Sequence, residues 1–139
     1  MTFTATQDIG LAKFNSAGVH QWSKFFGGTG LDVAQGLAVD SVGNVVLAGA
    51  FRNSVNFGGG SFSSAGGSAD VFVAKYAAGD GAHLWSRRFG GAGADDGRGA
   101  AVSSGGVFVT GTFEGIAEFS DEALTSVGMF DGFCIGLSP

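Results

Sequence analysis

Short apolar runs separated by glycine and polar residues recur along the whole chain, in the alternating or briefly continuous form that β-strands take. The pattern predicts strands near 9–14, 20–26, 35–40 and 45–51, and again near 71–76, 83–89, 98–103 and 107–113. Val71-Phe72-Val73-Ala74 and Val107-Phe108-Val109 are apolar without interruption, as expected of strands packed on both faces. No segment keeps a 3.6-residue period for three turns, so helix content should be close to zero.

The two groups of strands are copies of each other, which changes the fold expectation more than any single element does. Asp70-Val71-Phe72-Val73-Ala74-Lys75-Tyr76 repeats Asp8-Ile9-Gly10-Leu11-Ala12-Lys13-Phe14 at an offset of 62 residues. His83 to Gly91 repeats His20 to Gly28 at 63, and Val107 to Phe113 repeats Val45 to Phe51 at 62. Asp131-Gly132-Phe133-Cys134-Ile135-Gly136-Leu137 opens a third copy. The offset changes only around glycine-rich turns, where a β-unit tolerates insertion. This gives a linker tail at 1–7, a first repeat at 8–69, a second at 70–130 and the first strand of a third at 131–139. Four-stranded antiparallel units that cannot bury both faces alone stack as β-propeller blades. The predicted fold is therefore all-β, two full blades plus one strand of a third.

Three segments carry a family resemblance: Asp70 to Tyr76, Leu84 to Gly91 followed by Gly93, Asp95 and Asp96, and Ala38-Val39-Asp40-Ser41-Val42-Gly43-Asn44-Val45-Val46. In these the chain resembles the bacterial SBBP β-propeller repeats, over nearly its whole length. The resemblance implies a propeller and a secreted or cell-surface location, and it brings no catalytic residues with it. The second copy departs from the pattern by lacking the Asp and Asn of the turn that precedes its last strand.

Composition narrows the function further. With 7 Lys plus Arg against 12 Asp plus Glu, the net charge is -5, and the basic residues are scattered, so nucleic acid is not an expected partner. Neither a signal-peptide pattern at Met1 to Asp8 nor an apolar run long enough to span a membrane is present, so membrane insertion is not expected. No Ser-His-Asp spacing, phosphate loop, Cys-x-x-Cys or paired-carboxylate motif is found, so no enzyme activity is predicted.

Gly27-Gly28-Thr29-Gly30-Leu31-Asp32 and its copy Gly90 to Asp96 each match one turn of a calcium-binding Gly-Gly-x-Gly-x-Asp repeat. Because the copies lie 63 residues apart and not in tandem, the stronger reading is a glycine-rich connection whose Asp accepts backbone N–H groups. No cofactor or metal site is expected, calcium being the one candidate. Asp32, Asp95, Asp96 and Arg98 are the ligand-binding candidates in these loops. His20 and His83, each two residues before a Trp, are expected on the Trp side of their strands, as packing residues with one satisfied ring nitrogen. Trp22, Trp85, Phe26 and Phe89 are expected in the core, and Cys134, aligned with Leu11 and Val73, is expected to be buried. The acidic group Glu114, Glu118, Asp121 and Glu122 reads as a solvated outer edge.

The function these readings support is a non-catalytic propeller-repeat module for recognition or adhesion, binding protein or glycan at a bacterial surface. The alternative is a purely structural spacer or a self-assembling ring. Partners would then be copies of the chain joined head to tail, strand 133–137 pairing with a neighbour's incomplete blade, or flanking repeats of a longer chain.

Overall fold

Every regular element among the described residues, 7–138 of the computed structural model, is a β-strand. In chain order these are β1 (Ile9–Phe14), β2 (His20–Phe26), β3 (Asp32–Val39), β4 (Val45–Arg52), β5 (Ser54–Asn56), β6 (Ser61–Ser63) and β7 (Ala69–Tyr76). They continue with β8 (His83–Gly91), β9 (Asp96–Ser103), β10 (Gly106–Phe113), β11 (Ile116–Phe119), β12 (Glu122–Thr125) and β13 (Asp131–Leu137). The strands predicted from the apolar pattern are all present, and the short hairpins β5–β6 and β11–β12 are additional. Of the expected linker tail, residues 1–6 lie outside the described residues, and Gln7 makes an isolated parallel bridge to Leu31.

Hydrogen bonding groups the strands across the sequence repeats. Strands β3, β4, β7 and β8, two from each copy, form the main part of a six-stranded antiparallel sheet, with Val39 opposite Val45, Val45 opposite Tyr76 and Val71 opposite Phe89, and β11 and β12 extend it past β8 through Ala117 opposite Gly91. β1 and β2 form a separate ladder, and β9, β10 and β13 form a third sheet. The units 8–69 and 70–130 are thus offset from the sheets by two strands. The cause is the glycine-rich segments after β2 and β8, which lead the chain out of one sheet and into the next. β13 pairs along its length with β10 of its own chain, from Val107 opposite Leu137 to Phe113 opposite Asp131.

The β3–β4–β7–β8 part of this sheet is the middle layer of a stack. One face sends Val45, Leu47, Phe51, Phe72, Ala74 and Tyr76 against Ile9, Leu11, Trp22 and Phe26 of the β1–β2 layer. The other sends Val46, Ala48, Val71, Val73 and Phe89 against Val107, Val109, Phe133 and Leu137 of the third layer. Burial on both faces explains the uninterrupted apolar run in β7. Each side chain of this size contributes roughly 1.5–3 kcal/mol when removed from water.

The two hairpins close the rims of these interfaces with matching ring clusters. Phe57 stacks on Phe72 at 4.2 Å and meets Phe51 edge-on at 6.2 Å; Phe119 lies 4.8 Å from Phe133 and meets Phe113 edge-on at 5.9 Å. The backbone repeats as well. Asn53 and Gly115, at φ 65° and 70°, make the same left-handed turn after β4 and β10, each donating its N–H to a serine hydroxyl, Ser64 or Ser126.

Large side chains at the outer strands contrast with bare backbone at the inner ones. A Cβ on Gly36 of β3 would come within 2.7 Å of Ala100 N and 2.8 Å of Gly99 C on β9. The sheets therefore approach closely at β3 and β9, while Trp22, Phe26, Phe57 and Tyr76 fill the space further out.

Two expectations are corrected by the strand geometry. A bulge at Gln21 and another at Leu84 insert one residue between His and Trp, so His20 and His83 face away from the Trp side. Each instead bonds a serine hydroxyl three residues on, His20 to Ser23 at 2.6 Å and His83 to Ser86 at 3.0 Å. Cys134 is exposed and not buried. It lies opposite Thr110 on the outer face of the third layer, whereas its counterpart Val73 is covered by that same layer.

Candidate functional site

Three buried aspartates sit where the chain passes between layers. Asp32, Asp70 and Asp95 are at most 1% exposed. Asp32 ends the Gly-rich connection after β2, and its Oδ2 accepts the Gly28 N–H at 2.9 Å. Asp95 repeats this, its Oδ2 accepting the Gly91 N–H at 2.7 Å and its Oδ1 the Glu114 N–H at 3.3 Å. The Gly-Gly-x-Gly-x-Asp segments thus behave as turns tied by their own aspartate.

The backbones of Asp32 and Asp95 each lean on the start of their own copy. The Asp32 N–H donates to the Gln7 carbonyl at 3.1 Å, and the Asp95 N–H to the Ala69 carbonyl at 2.8 Å. This sets Asp32 beside Asp8 and Asp95 beside Asp70, giving one carboxylate pair per repeat. Asp70 is held by the Ala65 N–H and by Arg88, whose Nε lies 2.6 Å from Asp70 Oδ2. Burial pushes the Asp32, Asp70 and Asp95 carboxyls above the ordinary aspartate range; the backbone donors and Arg88 oppose it, and the charges of Asp8 on Asp32 and of Asp70 and Glu114 on Asp95 add to it. Asp40 goes the other way. Burial acts to raise it, but Lys75 at 3.0 Å and the N–H groups of Asn44 and Val42 outweigh that and hold its carboxyl at about 2.

A second feature lies on the inner strands. Gln35 of β3 and Arg98 of β9 occupy the same bulge position in neighbouring sheets, skipped by the ladder partners Gly49 and Ala48, and Thr110 and Gly111. A bulge re-aims its side chain, and both reach Asp96: Gln35 Nε2 donates to Oδ1 at 2.6 Å and Arg98 Nε to Oδ2 at 3.2 Å. Leu31, Val33, Ala50 and Phe130 supply the apolar part of this cleft, whose volume is about 280 Å³.

Of the residues proposed from sequence, the inner cleft brings together Asp95, Asp96 and Arg98. Asp32 lies apart, in a cleft of about 320 Å³ with Gln7, Asp8, Ile9, Gly10, Val33 and Ala34. Sequence reasoning passed over Asp8, Asp70, Arg88 and Gln35. The signal for the first two was present, because an aspartate opens every copy, at 8, 70 and 131. Among the described residues no three His, Cys, Asp or Glu side chains gather as a metal cage, and no helix is long and apolar enough to cross a membrane. The chain matches no protein-family model and no curated protein.

Proposed function

We propose that the chain is a segment of a β-propeller of the SBBP type, a non-catalytic module that recognises protein or glycan at a bacterial surface through the inner cleft. The observation that carries the recognition site is the paired bulge, which points Gln35 and Arg98 from adjacent sheets onto one carboxylate beside exposed Leu31 and Phe130. Such a fork of donors over an apolar floor suits a neutral, hydroxyl-rich or amide-bearing ligand. The propeller reading is supported by the close approach of the inner strands and the bulky outer ones, since sheets stacked that way diverge outward.

The test is a binding screen of immobilised glycans and of surface-protein extracts against the chain and its Arg98→Ala variant. A ligand retained by the wild type and released at least tenfold more readily by the variant is the expected result. Equal retention by both, or none by either, removes the cleft from consideration.

A second reading, self-association, draws on a different observation. The outer face of β1–β2 exposes Phe14 (56%) and Phe25 (58%), and the outer face of β9–β10–β13 exposes Phe108 (41%). In the middle layer the corresponding faces are the buried ones, so a further copy seated on either flank would cover them.

A further inference from the structure

The two carboxylate pairs are copies of one arrangement that differ in counter-charge. In the second pair every carboxylate oxygen has a donor: Ala65 and Arg88 serve Asp70, and Gly91 and Glu114 serve Asp95. In the first, the register position of Arg88 is held by Phe25, since Gly10 faces Phe25 across β1 and β2 as Phe72 faces Arg88 across β7 and β8. A phenyl ring brings no charge.

The consequence is visible on the oxygens. Asp8 Oδ1 and Asp32 Oδ1 are both shut off from solvent, and neither meets a hydrogen-bond donor among the described residues. The Arg52 amide favours the Asp32 anion without reaching hydrogen-bond geometry on that oxygen. Asp32 is 1% exposed, so bulk water solvates its carboxylate little. Asp8 packs its carboxylate against the Gly27 backbone, where an added Cβ would overlap Oδ1. Among the described residues that line the cleft with both carboxylates there is no lysine or arginine.

We propose that the cleft between Asp8 and Asp32 binds a hard divalent cation of the calcium class through the Oδ1 atoms of both carboxylates. A doubly charged ion would balance both groups, the part that one guanidinium and three backbone amides play for the twin pair. All-oxygen donors select calcium or magnesium over softer metals, and calcium tolerates an irregular set that magnesium does not. Two carboxylates supply at most about four of the 6–8 oxygens calcium takes, so the affinity belongs to the weak class, roughly 10⁻⁴–10⁻³ M. The site is separate from the inner cleft and does not depend on the propeller reading.

The test is thermal melting of the whole chain in chelator-treated buffer, titrated with calcium chloride to about 10 mM at constant ionic strength. Saturating a site of this class should raise the Tm by about 4–7 °C. Asp32→Asn should abolish the response, whereas Asp70→Asn should keep it. Phe25→Arg, made on an exposed residue and restoring the twin's guanidinium, should raise the calcium-free Tm and also abolish the response. The proposal is overturned by a wild-type Tm that ignores calcium, by a response that survives in Asp32→Asn or Phe25→Arg, or by an equal shift with sodium chloride alone.

Discussion

Arg88 is the residue on which the Asp70–Asp95 pair depends at neutral pH. Its Nε lies 2.6 Å from an oxygen of Asp70, which is 0% exposed, while the arginine's own side chain remains 34% exposed. Stripping one partner from a fully buried pair costs about 3–5 kcal/mol, and solvent around the guanidinium discounts that to about 1–3 kcal/mol. Arg88→Met should therefore destabilise the chain by that amount in urea unfolding at pH 7. The deficit should shrink as the pH is lowered and Asp70 takes up a proton. A loss independent of pH would mean that the arginine stem, and not its charge, matters.

The wild-type profile follows from the same groups. Asp32, Asp70 and Asp95 have raised carboxyl pKa values, so they hold protons more tightly folded than unfolded. Their stabilising contribution is complete below the unfolded value of about 3.9 and is lost as the pH rises through the folded one. Asp40, held at about 2, contributes above the unfolded value and loses that contribution only as the pH falls toward 2. As far as these four carboxyls govern it, the Tm in calcium-free buffer should climb from pH 7 to about 4 and then fall. A monotonic loss of stability below pH 7 would show that other groups dominate.

At the scale of elements, what was legible in the sequence depended on length. Strands of six to nine residues such as β1, β7 and β8 carry enough apolar positions to declare a period. β5 and β6, of three residues each, offer one apolar residue apiece, Val55 and Phe62, and no period exists to detect. Sheet membership was hidden for another reason. The repeat fixes which strands are equivalent but not which pair, and Gly27 to Leu31 reads equally well as a hairpin or as a link between layers. The candidate site was half visible: Asp32 and Asp95 stood out inside their motifs, while Asp8 and Asp70, their neighbours across layers, did not. Inner-strand glycines give a test of the layer geometry. Gly36→Ala would press on the backbone of Gly99 and Ala100 and should cost about 1–3 kcal/mol. Gly128→Ala, with nothing within 4 Å of the added methyl, should stay within about 0.5 kcal/mol. Equal effects in chemical denaturation would contradict the close approach of β3 and β9.

For the whole molecule, the stack is directional, and direction makes self-association testable in a way that mass alone is not. Its two outer faces are different surfaces: one presents Phe14 and Phe25 on β1–β2, the other Phe108 and Cys134 on β10–β13. An interface joining the first to the second is heterologous, so each copy uses both of its faces and growth continues until a ring closes. Charge placed on either face should stop this growth. Phe14→Asp and Phe108→Asp alter residues 56% and 41% exposed, so folding should survive both. Each variant alone should run as a monomer in light scattering, because every contact would need its damaged face. Mixed in equal amounts, they should form a discrete heterodimer through the one intact pair of faces, and nothing larger. A two-fold symmetric contact through a single face predicts otherwise: one variant would keep self-associating unaided, and mixing would create no new species.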